Sequence, residues 1–131
     1  MKPNARLLAI SLAMLAGAAS AAAPTIPSTP YVWRKVVIGG GGFSPGIVFS
    51  PAEKGLAYLR TDVGGAYRWD AQQGTWLPLQ DMMWQNSYLG VESIAPDPKE
   101  ANVVYLAAGM YYGQPAAIMR SADRGKTWRV T

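Results

Sequence analysis

The chain has 131 residues, no cysteine and no histidine, and twelve basic against eight acidic residues for a formal charge of +4. The missing residue types exclude a disulfide framework, a thiol nucleophile, Ser-His-Asp and Cys-His catalysis, and the usual zinc sites. Without Lys2 and Arg6, ten basic residues face eight acidic ones, a charge of +2; no Lys/Arg cluster or basic helix marks a nucleic acid or an anionic membrane as partner.

Residues 1–23 read as a signal peptide. Lys2 and Arg6 give a positive start, Leu7 to Ala18 is an apolar run too short to span a bilayer, and Ala19-Ser20-Ala21 supplies small residues for cleavage. This predicts a mature start near Ala22, a secreted or periplasmic location, and no membrane association after cleavage. Residues 24–30 (PTIPSTP) form a stiff, extended leader. The remaining chain, about 110 residues in its mature form, is one domain at most.

An internal repeat gives the architecture. Ile47, Pro51, Tyr58 and Leu59 recur 47 positions later as Ile94, Pro98, Tyr105 and Leu106. Each copy reads as an apolar strand, a proline turn and a second strand (Leu56–Arg60; Val103–Ala107). A loop, a third strand (Ala66–Trp69; Ala117–Arg120), a polar turn and a fourth strand opening Thr-Trp (Thr75-Trp76; Thr127-Trp128) follow. Four strands in about 45–50 residues is the period of a β-propeller blade, so an all-β propeller is predicted. A β-sandwich is not expected to repeat in register at this length.

Ser121-Ala122-Asp123-Arg124-Gly125-Lys126-Thr127-Trp128 resembles the Asp-box of sialidase-like propellers. Ser121 and Asp123 can accept backbone N–H bonds inside the hairpin, Gly125 can take positive φ, and Trp128 can fold back onto the blade. The first copy, Asp70 to Trp76, is a degenerate version whose aspartate lies six residues before the tryptophan.

Paired-carboxylate hydrolysis is the chemistry that these residue types best allow. The eight carboxylates are Glu53, Asp62, Asp70, Asp81, Glu92, Asp97, Glu100 and Asp123. Asp62 sits where a strand breaks into Gly64-Gly65. Spacing alone leaves open whether it caps its own turn or is presented to a ligand. In a propeller the loops between second and third strands open on the ligand-binding face, which would join Asp62 to Tyr111 and Tyr112. Trp84, Asn86 and Tyr88 lie in a connection reaching the same face. Trp84, Tyr88, Tyr111 and Tyr112 are thus candidates for stacking on sugar rings, or equally for packing inside the blades.

Tyr31 to Phe49 (YVWRKVVIGGGGFSPGIVF) and Tyr58 to Trp69 (YLRTDVGGAYRW) resemble the N-terminus of glycoside hydrolase family 74. The resemblance covers nearly all of residues 31–131, including Gly90-Val91-Glu92-Ser93-Ile94-Ala95 and the Asp-box. It implies one part of a pair of seven-bladed propellers facing each other across a cleft, acting on xyloglucan or a related β-1,4-glucan without cofactor or metal. Asp62 matches the family's catalytic aspartate, the general base of an inverting mechanism, whose acid partner stands about 6.5–9.5 Å away. That acid belongs to the C-terminal propeller and has no counterpart up to Thr131. Residues 31–131 are therefore expected to be two blades plus a closing strand at 31–38, an N-terminal fragment inactive by itself. The family's xyloglucan-active members usually carry a longer, more tryptophan-rich segment than Gln80 to Tyr88. The alternative is a non-catalytic Asp-box module that binds glycans or proteins.

Overall fold

Short runs of β-branched and aromatic residues, broken by Gly, Pro and Asp, favour brief strands joined by turns. The computed structural model describes residues 28–131 and contains eight such strands. β1 (Gly46–Phe49), β2 (Ala57–Arg60), β3 (Ala66–Asp70) and β4 (Thr75–Pro78) form one antiparallel sheet in chain order. β5 (Val91–Pro96), β6 (Val104–Ala108), β7 (Ala117–Ser121) and β8 (Arg129–Val130) form a second sheet of the same order. The repeat residues occupy matching rungs: Ile47 opposite Leu59 in the first sheet, Ile94 opposite Leu106 in the second. Only the second has a bulge, between Val91 and Ser93, which places Glu92 outside the regular pairing.

The contacts divide the chain into Met1–Val32 and Trp33–Thr131. In the first part only residues 28–32 are described, and they form no regular element. The expected signal peptide, residues 1–23, and most of the 24–30 leader lie outside the described residues. Among the described residues no helix is long and apolar enough to cross a membrane.

Within Trp33–Thr131 the core lies between the two sheets. Leu56, Tyr58 and Ala66 come from the first, and Val91, Ile94, Val104, Leu106, Ala108 and Met119 from the second. Strand β6 shows the cause, with Val104, Leu106 and Ala108 buried and Tyr105 and Ala107 half-buried on the other side, the period-two alternation of a one-faced strand. Leu79 and Trp128 pack against this core, and the Trp128 indole N–H donates to the Leu79 carbonyl at 3.0 Å.

The Asp-box turn closes through side chains. The Ser121 hydroxyl accepts the N–H groups of Asp123 and Gly125, and Asp123 Oδ1 accepts the N–H of Thr127 at 2.8 Å. Arg124 and Gly125 both take positive φ, 61° and 86°, which strains the non-glycine residue. Because Asp123 holds both the N–H and the hydroxyl of Thr127, this stretch stays a turn. The fourth strand starts at Arg129, two residues later than the expected Thr127. In the degenerate copy, Asp70 Oδ1 accepts the N–H groups of Gln72 and Gln73, and Gly74 takes φ 66°.

The expected strand at 31–38 does not form in this structure. Its Val37 carbonyl accepts the N–H of Trp76 and the hydroxyl of Thr75, but no further rungs extend the contact, and the segment stays exposed and irregular. A strand needs a ladder, and one carbonyl does not supply it. A 3-10 turn at Asn86–Leu89, which the sequence does not announce, links the two sheets.

Candidate functional site

Asp62 stands at the end of β2 in a loop that other residues close. The Thr61 hydroxyl accepts the N–H of Gly64 at 2.8 Å and donates to the Gly65 carbonyl at 2.8 Å; the Thr61 N–H meets that carbonyl at 3.0 Å. Gly65 takes φ 84° to make the return, a conformation that a Cβ disfavours. The buried Thr61, rather than Asp62, is therefore the capping residue of this turn.

The Asp62 carboxylate is used elsewhere. Its Oδ1 accepts the Phe43 N–H at 2.7 Å across nineteen positions, and the Asp62 N–H returns a bond to the Phe43 carbonyl at 3.1 Å. The second oxygen accepts no hydrogen bond among the described residues, and the side chain is exposed. The glycine run makes this clamp possible. A Cβ on Gly40 would overlap the Tyr67 hydroxyl, and one on Gly64 would overlap the Gly41 carbonyl. The Tyr67 hydroxyl donates to the Gly64 carbonyl at 2.8 Å, and burial, with the Asp81 charge in support, pushes that phenol above its ordinary range.

A third attachment ties the loop to the linker between the sheets. Gly65 N–H donates to the Leu89 carbonyl at 2.6 Å, and Val91 N–H to the Thr61 carbonyl at 3.1 Å. Buried Gln80 accepts the Ala66 N–H at 2.8 Å and donates to the Tyr88 carbonyl at 2.7 Å. Thr61, Gln80 and Phe43 are site-shaping residues that sequence reasoning missed. Only the Gly39–Gly42 run, a stretch where backbone can approach backbone closely, signals this arrangement in advance.

The aromatic candidates separate. Trp84, Tyr111 and Tyr112, with Asn86 and Gln114, line an open cleft of about 510 Å³, and all three aromatic rings are exposed. The Ser87 hydroxyl, donating to the Pro115 carbonyl at 2.7 Å, holds the two sides together. Tyr88 does not join them: it is half-buried against the core and lines an apolar groove with Leu79, Met83 and Trp128. Asp62 does not line the aromatic cleft. Its loop adjoins the cleft's loops at Gly90, where a Cβ would meet both the Asp62 carbonyl and Met110. The loop end of the two sheets therefore carries an exposed carboxylate and, on adjoining loops, three exposed aromatics. That combination suits a neutral, hydroxyl-rich ligand with apolar ring faces. Among the described residues no group of three or more carboxylates is placed to hold a metal ion.

An all-β chain of paired four-stranded sheets with an aromatic, carboxylate-bearing loop end is the class of protein defined here, and the comparisons narrow it. No protein-family model matches the chain. A xyloglucanase of Acetivibrio thermocellus is 57% identical over 113 residues, covering 81% of this chain and 13% of its own length. The crystal structure of the GH74 xyloglucanase from Xanthomonas campestris superposes with a TM-score of 0.64 at 51% identity, covering 76% of this chain and 15% of that one. A GH74 enzyme of Niastella koreensis gives a TM-score of 0.62 at 48% identity, covering 72% and 14%. Over the segment it spans, the chain belongs to glycoside hydrolase family 74. That segment is about 13–15% of the length of these relatives.

Proposed function

We propose that this chain is the N-terminal part of a secreted xyloglucan hydrolase and carries the general base of an inverting mechanism. Asp62 is that base. The observation that carries the reading is the division of labour in its loop: Thr61 closes the turn, leaving Asp62 exposed, fixed through one oxygen by Phe43 and with the other free. A carboxylate held this way can orient a water and take its proton while an acid across the sugar protonates the leaving oxygen, with about 6.5–9.5 Å between the two groups. Trp84, Tyr111 and Tyr112 would support the glucan chain by stacking. The two sheets would be two blades of a seven-bladed propeller. Xyloglucanase relatives at 43–57% identity support this reading.

The test uses the full-length protein that contains this segment. Asp62→Asn keeps the shape and the Phe43 bond but cannot accept water's proton, so kcat should fall by about 10²–10⁴-fold with folding and xyloglucan affinity near wild type. Retention of most of the rate by a folded Asp62→Asn enzyme would refute the assignment. The 131-residue chain alone should show no xyloglucan turnover, because the acid is not among its residues.

A further inference from the structure

A second groove lies between the two sheets, at the end where the Asp-box turn and its degenerate copy sit. It has a volume of about 680 Å³, and its walls include Lys54, Arg68, Trp69, Gln72, Asn102 and Lys126. Nothing in the catalytic reading uses it.

Its charges are unevenly committed. Three carboxylates line the groove, and each is engaged: Glu53 with the Arg124 guanidinium, Asp70 with the N–H groups of its own turn, Asp123 with Thr127 and Ser121. Of the four cations, only Arg124 has a carboxylate partner among the described residues. Lys54 and Lys126 are exposed and unpaired, and Arg68 only donates weakly, at 3.3 Å, to the Arg124 carbonyl.

A further group is left unsatisfied beside them. Tyr58 is fully buried, and its hydroxyl has no hydrogen-bond partner among the described residues. Tyr58 is the direct cross-strand neighbour of Arg68, and Arg68, Arg124 and Glu53 are the charges that act on its hydroxyl. An unpaired buried hydroxyl is costly, but Tyr58 is not among the groove's walls, so its hydroxyl takes no part in binding. Trp69 adds an aromatic face, and the amides of Gln72 and Asn102 can bond hydroxyl groups.

We propose that this groove binds the uronate residues of an acidic polysaccharide, with Lys54, Arg68 and Lys126 receiving the sugar carboxylate and Trp69 the ring. The site lies among the turns that join the strands at the end opposite the Asp62 loop. It would let the protein hold an acidic wall polymer without occupying the catalytic cleft.

The experiment is calorimetric titration of the purified chain with trigalacturonate, and with a neutral xyloglucan oligosaccharide as comparison. Trigalacturonate should bind and weaken several-fold when salt rises from about 0.05 to 0.3 M, as attraction between exposed charges does. Lys54→Gln with Lys126→Gln should weaken it at least tenfold. Lys99→Gln with Arg129→Gln removes the same charge away from the groove and should change it less than twofold. Galacturonic acid monomer in the same titration separates recognition of a polymer segment from capture of any carboxylate; monomer binding as tight as the trimer would overturn the polysaccharide assignment. Absence of trigalacturonate binding, or equal weakening in both double variants, would overturn the site itself.

Discussion

Three aspartates stand at strand ends in similar local sequence, and their neighbours give them different tasks. Asp70 caps its own turn, Asp123 builds the Asp-box, and Asp62 bonds to a residue nineteen positions away. Thr127, through hydroxyl and N–H, and Ser121 hold the Asp123 carboxyl down to about 2 from its ordinary 3.8. Since the folded value is the lower one, the stabilisation is complete above the unfolded value and is lost as pH falls from there through about 2. Urea midpoints should therefore favour wild type over Asp123→Asn at neutral pH, and the gap should close between pH 4 and pH 2. A gap independent of pH would mean the carboxylate charge contributes nothing. Tyr58 makes the opposite case. Its hydroxyl is buried without a partner among the described residues, so Tyr58→Phe should leave stability unchanged or raise it by about 1 kcal/mol. A loss above about 1 kcal/mol would show that the hydroxyl has a partner in solution.

At the scale of elements, the strands were readable because the repeat residues recur in the same rungs of both sheets. The end of the second sheet was less readable, since Asp123 extends the turn at the expense of the strand. The loop of Asp62 was readable as a strand break, but not its fastening, because Phe43, Leu89 and Gln80 reach it from distant positions and no local pattern encodes those bonds. Tyr88 shows the same limit: it lies beside the cleft residues in sequence, yet packs inward because Gln80 holds its carbonyl. Gln80→Ala should leave the Ala66 N–H and the Tyr88 carbonyl without their partner, at about 1–3 kcal/mol per orphaned group. Denaturant unfolding measures the cost. Amide exchange near Gly65 and Leu89 should speed up with it, while exchange in β6 should follow only the global change. Unaltered exchange at Gly65 would show that Gln80 does not hold the Asp62 loop.

At the scale of the whole Trp33–Thr131 unit, the question is what docks one sheet on the other. Two kinds of contact compete. Arg124 and Glu53 form a two-point ion pair at 3.0 and 2.6 Å, but their side chains remain 34% and 41% exposed, and water screens such a pair to about 1 kcal/mol or less. Trp128 packs against the core and its indole N–H is bonded to Leu79, while Gly125 lies so close to Leu79 that a Cβ there would come within 2.7 Å. Removing a large, partly buried aromatic costs several times more than breaking an exposed pair, about 3–5 kcal/mol at full burial and somewhat less here. Glu53→Gln should thus lower stability by about 1 kcal/mol or less, with the effect shrinking in salt. Trp128→Ala should cost about 2–4 kcal/mol with no salt dependence. Leu79→Ala should be non-additive with Trp128→Ala, with a coupling of about 0.5–3 kcal/mol, because each removes the other's partner. Chemical denaturation of the two single variants and the double closes the cycle. Strict additivity of Leu79→Ala and Trp128→Ala would show that the two side chains do not depend on each other, and a larger loss from Glu53→Gln than from Trp128→Ala would place the docking energy in charge rather than in packing.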